Sequence, residues 1–154
     1  MKFHSMLMLC FILLVGTLSF YSCKKGEKCG ETNKSISGGH ESHNFGMDCM
    51  NCHKSGGEGK GCFLVAGSVS KMNTTSPVSA GIVKLFTQPG GAGSLKYTIP
   101  IDSKGNFYST DNIEYSGLYP VIVSSTGSQF SMSSPVSTGS CNTCHTGSNK
   151  LIAN

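Results

Sequence analysis

The chain has no arginine; every one of its twelve basic residues is a lysine. Charged residues of either sign make up only 13% of it, with eight acids in all. The formal charge of +4 includes Lys2, and so mild a basic balance makes no case for a nucleic-acid partner. Helical periodicity is missing too: from residue 62 onward no segment repeats its apolar residues at helical spacing. Residues 24–61 hold almost no branched aliphatic side chains, too little apolar content to fold alone. Histidine is scarce, with five in the chain. No separate cluster of acids and bases accompanies them, so no catalytic residue is expected.

One apolar run is present. Residues 5–22 (SMLMLCFILLVGTLSFYS) follow Lys2 and end at Cys23, with Lys24 and Lys25 behind. The run is short for a spanning helix and reads as a secretory leader with a cleavage site. A small residue, Ser22, directly before Cys23 resembles a bacterial lipobox, which would make Cys23 the acylated first residue of the mature chain. Phe20 and Tyr21 are bulkier than that pattern usually carries. The alternatives are a plain leader cut elsewhere and an uncleaved anchor. The expected location is outside the cytoplasm, lipid-anchored in the bacterial envelope at the periplasmic face or the cell surface.

Cysteine is what the chain has in quantity, with eight. Cys49-Met50-Asn51-Cys52-His53 and Cys141-Asn142-Thr143-Cys144-His145 repeat one pattern. Two thiols at that separation reach the two vinyl groups of one haem and form thioethers. The histidine that follows lies under the iron as its proximal ligand. Two copies behind an export signal predict two covalent c-type haems. Paired C-x-x-C runs also build four-cysteine zinc sites, but residues 53–140 separate these pairs, far beyond the usual spacing. Zinc also leaves the histidine after both pairs unexplained. Thioredoxin-like chemistry wants a strand-to-helix setting that neither pair has. Cys10 is lost with the leader, and Cys29 and Cys62 remain. In an oxidising compartment they are expected to form a disulfide, the alternative being free thiols.

After the leader takes His4, the motifs claim His53 and His145. His40 and His43 are left, the number needed to give both irons a second imidazole, with the assignment of each open. Methionine is the alternative sixth ligand and raises the reduction potential. Met132, shortly before Cys141, is the candidate; Met47, Met50 and Met72 read as packing.

From Cys62 the pattern turns to β. Residues 63–69, 80–87, 95–101, 106–109, 119–125 and 129–131 read as strands, punctuated by Gly, Pro and Ser. Leu95, Tyr97, Ile99 and Ile101 alternate onto one face. Pro100 and Pro120 lack a ladder N–H, which places them at an edge or a strand start. The expected fold is mainly β: a small antiparallel β-sandwich flanked by an irregular haem-binding N-terminal arm and C-terminal tail. Along the chain this predicts a signal peptide (1–22), a lipidated tether (23–37), a first haem arm (38–61), the sandwich (62–136) and a second haem tail (137–154).

Val65-Ala66-Gly67-Ser68-Val69, Pro77-Val78-Ser79-Ala80-Gly81-Ile82-Val83-Lys84-Leu85 and Asp102-Ser103-Lys104-Gly105-Asn106-Phe107 carry a resemblance. They resemble the first strand, second strand and D-x-x-G-x-F hairpin of transthyretin-like, carboxypeptidase-regulatory sandwiches, an immunoglobulin-like architecture. With both flanking motifs, the mature chain resembles an exported bacterial dihaem c-type cytochrome. That resemblance implies electron transfer between redox proteins of the envelope, with the sandwich as scaffold. The competing classes are a haem enzyme with an open axial position, peroxidase- or reductase-like, and a β-sandwich binding module with structural haem. For the latter, Tyr97, Tyr108, Tyr115 and Tyr119 would be the aromatic platform.

Useful transfer needs both ends of the sandwich to emerge near each other. Four ionised propionates would bring the net charge close to zero. Lys24, Lys25, Lys28 and Lys34 lie near the proposed anchor, solvated or meeting anionic headgroups. Association into homo-oligomers stays open.

Overall fold

Short stretches of alternating small and apolar residues, separated by Gly- and Ser-rich turns, form seven strands among the described residues of the computed structural model, 28–154. They are β1 (Val65–Lys71), β2 (Gly81–Phe86), β3 (Leu95–Ile101), β4 (Asn106–Ser109), β5 (Tyr119–Ser124), β6 (Gln129–Ser131) and β7 (Leu151–Ala153). The expected leader, Cys23 and the two lysines after it lie outside the described residues. A three-stranded sheet runs β4-β1-β7 and a four-stranded sheet runs β3-β2-β5-β6. The result is a mainly β sandwich with an irregular arm and tail. The helical elements described are three-residue 3-10 turns, two of them at Cys49–Asn51 and Cys141–Thr143. No described helix is long and apolar enough to cross a membrane.

Side chains alternate across β1, and both faces are used. Val65 and Val69 enter the main core with Phe107, Val83, Leu85, Ile99, Ile101 and Ile122. Ala66 points the other way and packs with Phe63 and Tyr108 in a smaller cluster against Cys49 and Met50. The arm therefore covers the outer face of the three-stranded sheet. Asp102 makes the turn between β3 and β4: its Oδ1 accepts from the backbone N–H groups of Lys104 and Asn106. Gly105 completes the turn at φ 78°, and a Cβ there would strike Pro77, Phe45 and the Val69 carbonyl.

Most strands fall within a residue or two of their expected bounds. β7 was not expected, because Leu-Ile-Ala is too short to show a period. It pairs with β1 in parallel, Val69 opposite Leu151, the one departure from antiparallel pairing in these sheets. Of the expected face of β3, Ile99 and Ile101 are buried and Tyr97 is half-buried, but Leu95 is exposed. A register shift between Leu85 and Phe86 breaks the alternation before Leu95 is reached. Pro100 lies on the edge strand β3, and Pro120 is the second residue of β5.

Cys29 and Cys62 form a disulfide, with Cα atoms 4.6 Å apart. Just beyond it the chain is fastened to β4. Ser35 N donates to the Tyr108 carbonyl at 2.9 Å, and Thr110 N to the Asn33 carbonyl at 3.1 Å. Residues 33–35, inside the stretch read as tether, thus run along the sandwich.

Candidate functional site

The first motif begins at a capped turn. Asp48 has extended backbone angles, and its Oδ1 accepts from Met50 N at 3.0 Å, as an N-cap does. The turn brings Cys52 N and His53 N back to the Cys49 carbonyl at 3.2 and 3.0 Å. The second motif repeats this geometry from Ser140. Cys144 N and His145 N reach the Cys141 carbonyl at 3.3 and 3.0 Å, and Cys52 and Cys144 have closely similar φ and ψ. All four motif cysteines are free thiols, Cys52 and Cys144 exposed.

Each motif histidine is held by its Nδ1. His53 Nδ1 lies 2.8 Å from the Lys60 carbonyl, and His145 Nδ1 lies 2.9 Å from the Asn149 carbonyl. A carbonyl can only accept, so Nδ1 is the donor, and in the neutral ring Nε2 has its lone pair to give. A bond of this kind is what orients histidines in known metal sites. The His53 ring also stacks on Phe63, centroids 4.1 Å apart and planes 9° apart, and Phe63 stacks on Tyr108 in turn. Gly59 backs the ring so closely that a Cβ would stand 2.6 Å from His53 Nδ1.

The two motifs meet. Ser140 Oγ donates to Asp48 Oδ1 at 2.5 Å, and Asn142 Nδ2 donates to the Met47 carbonyl at 2.9 Å. Between them sits buried Ser68 of β1. Its backbone N donates to Asn142 Oδ1 at 2.9 Å and its Oγ donates to Asn106 Oδ1 at 2.6 Å. The second motif is an excursion from the edge of the three-stranded sheet. Ala66 N donates to the Gly139 carbonyl, the chain then loops out through residues 141–150, and β7 resumes pairing with β1. Asn142 supplies the acceptor that a continuous strand would have given Ser68. Gly67 makes room for the loop, since a Cβ there would stand 2.9 Å from Cys141 Cβ and 2.6 Å from the Phe107 ring.

Two clefts are lined by motif cysteines, and a third, of about 220 Å³, is lined by His145 and Asn142 with Ser68 and Ser70. Of the first two, one, of about 200 Å³, lies over the outer face of β1 and is lined by Cys49, Cys52, His53, His43, Asn106 and Tyr108. The other, of about 270 Å³, opens between the sheets and is lined by Cys141, Cys144, His145 and Met132 with core residues such as Leu85 and Ile122. Burial pushes the Cys141 thiol up to about 12, with smaller contributions from Cys49 and Cys144. Cys49 is also raised, again chiefly by burial. Burial raises the Tyr108 phenol, and the Asp102 carboxylate adds to that.

The structure separates the candidate distal ligands. His43 faces His53 across the first cleft, ring centroids 5.9 Å apart. His40 is exposed and pairs with Glu41 at 3.3 Å, and it lines neither cleft. Met132 lines the second cleft. No group of three or more His, Cys, Asp or Glu side chains among the described residues could hold a metal ion, so the four motif cysteines do not assemble a zinc-type cage. Of the four tyrosines, Tyr108 lies beneath the arm, while Tyr97 and Tyr115 pack against the core.

Sequence reasoning passed over Ser140, Asn142 and the capping role of Asp48. Asp48 directly before the first motif and Ser140 directly before the second are helix-start residues, a local signal that was legible. Asn142 and Ser68 gave none, because their partners are distant in sequence. No family model matches the chain, and neither a curated protein nor a solved structure does.

Proposed function

We propose that the protein is a dihaem c-type electron carrier of the bacterial envelope, anchored through Cys23 and passing electrons between redox proteins. The observation that carries this reading is the repeated Nδ1–H to carbonyl bond at His53 and His145, behind two free thiols in the same turn geometry. It leaves both Nε2 atoms as lone-pair donors, which is what an axial ligand must be. The donor sets fit the group: thiols for thioethers, a neutral imidazole, and an adjoining cleft at each motif. When bound, each haem supplies an iron that exchanges one electron between its ferrous and ferric states.

The chain's own part is to hold and to shield. Cys49, Cys52 and His53 would fix the first haem over the outer face of β1; Cys141, Cys144 and His145 would fix the second at the mouth between the sheets. Phe63 and Gly59 restrain the His53 ring, and the Asp48–Ser140 and Asn142–Met47 bonds keep the motifs adjacent. The wall of the second cleft is core, so loss of haem there would loosen the sandwich as well as the tail.

The test is the mass and spectrum of protein made in cells competent to mature cytochromes. Expected are two haems per chain, one lost in Cys49→Ala/Cys52→Ala and the other in Cys141→Ala/Cys144→Ala. A mass explained by amino acids and acyl chains alone would overturn the reading. Ready binding of carbon monoxide by a reduced iron would move it to a haem enzyme with an open axial position.

A further inference from the structure

We infer that the two irons take different sixth ligands, His43 opposite His53 at the first site and Met132 opposite His145 at the second. This rests on the dihaem reading and adds to it an inequivalence of the two sites.

At the first site the separation of the rings is the argument. Two imidazoles sharing one metal at nitrogen distances of about 2.0 Å would have their ring centres roughly 6 Å apart. His43 and His53 stand at 5.9 Å, their planes tilted by 37°. The His53 ring is held by Lys60 and Phe63. Opposite it, the His43 backbone carbonyl accepts from Asn106 Nδ2 at 3.3 Å, which ties that segment to β4.

The second site offers no such ring. His145 is the one histidine lining its cleft, and His40 lies elsewhere, against Glu41. Lys150 and Tyr115 also border the cleft. An ammonium has no lone pair to give, and Tyr115 packs against the main core. Met132 follows β6 and its backbone N donates to the Pro120 carbonyl at 3.1 Å, which fixes the thioether's base at the cleft wall. A thioether is neutral and soft, suited to haem iron in an apolar cleft.

Methionine ligation and an apolar setting both raise a haem's potential. With haem bound at both motifs, the Met132 side of the pair would therefore be the more oxidising of the two sites.

The test is spectroscopic, on holoprotein whose covalent haem content is measured in every variant. The oxidised protein is expected to show a methionine–iron charge-transfer band in the near infrared together with a bis-imidazole paramagnetic signal, and two separate potentiometric waves. Met132→Leu, nearly the same volume, should abolish the infrared band. Met132→His should replace it with a second bis-imidazole signal and shift only the upper wave downward. His43→Ala should open the other iron to carbon monoxide and leave the infrared band in place, while His40→Ala should change nothing. Two haems with no infrared band, or a band that survives Met132→Leu, would overturn this inference and leave the carrier reading standing. Absence of haem from the parent protein would remove both.

Discussion

Ser140 Oγ donates to Asp48 Oδ1 at 2.5 Å, across a sequence distance that takes in the first six strands. Each is the residue immediately before a motif's first cysteine, and each starts its 3-10 turn. One carboxylate oxygen thus caps the first turn and fastens it to the second. The spacing between the two motif turns is set here, by the chain's own side chains.

Replacing Asp48 by Ala removes both bonds and should cost about 1–2 kcal/mol of stability. Ser140→Ala should cost about 1 kcal/mol. The double variant should fall short of the sum by at least about 0.5 kcal/mol, as side chains sharing a bond do. Urea denaturation of the four proteins measures this. Strict additivity would mean that the turns are independent.

The Cys29–Cys62 bridge closes a loop across a separation of 33 residues. Opening it with Cys29→Ser/Cys62→Ser should lower stability by roughly 3–4 kcal/mol on the chain-entropy account. Reductant should reproduce the drop in the parent and leave the variant unchanged. An identical urea midpoint for all of them would show that the arm is held without the bridge.

Gly67→Ala forces a Cβ against the Phe107 ring at 2.6 Å and Cys141 Cβ at 2.9 Å. Overpacking of this kind should cost about 1–3 kcal/mol and reduce haem attachment at the second motif more than at the first. Gly30→Ala, where a Cβ meets nothing within 4 Å, should stay within about 0.5 kcal/mol of the parent. Peptide mass mapping of the two motifs, alongside thermal melts, reads both effects.

With its thiols free, Cys141 titrates at about 12 in the folded chain against an ordinary 9.0. A raised thiol pKa means that folding favours the protonated form. Its contribution is whole below pH 9 and is lost as pH climbs from there towards 12. Haem-free protein should therefore lose more stability over that range than its Cys141→Ala variant, and the thioether form should lack the effect. At neutral pH, iodoacetamide should label exposed Cys52 and Cys144 well before Cys141. Equal alkaline slopes for parent and variant would contradict this.

Much of the sandwich was legible because its strands are local patterns. Alternation marked β3, the aliphatic run marked β2, and Asp102 with Gly105 marked the hairpin, each within a few residues. Leu95 departed because a shift at Leu85 and Phe86 is a property of the pairing, which one strand's sequence does not carry. β7 escaped because three residues acquire strand character only from the edge of β1 that they join. Asp48 sat in plain view as a capping residue, but its second role, accepting from Ser140, depends on a fold that brings distant segments together.

The sequence by itself determined the chemistry available: two thiol pairs each followed by histidine, a mainly β scaffold, and a leftover cysteine pair suited to a bridge. Those follow from residue identity and short-range spacing, which survive any arrangement of the chain. Only the tertiary structure decided that the motifs touch, that His43 rather than His40 faces His53, and that Met132 borders the cleft of His145. These are contacts between segments far apart in sequence, set by sheet order and by which face of β1 each segment covers.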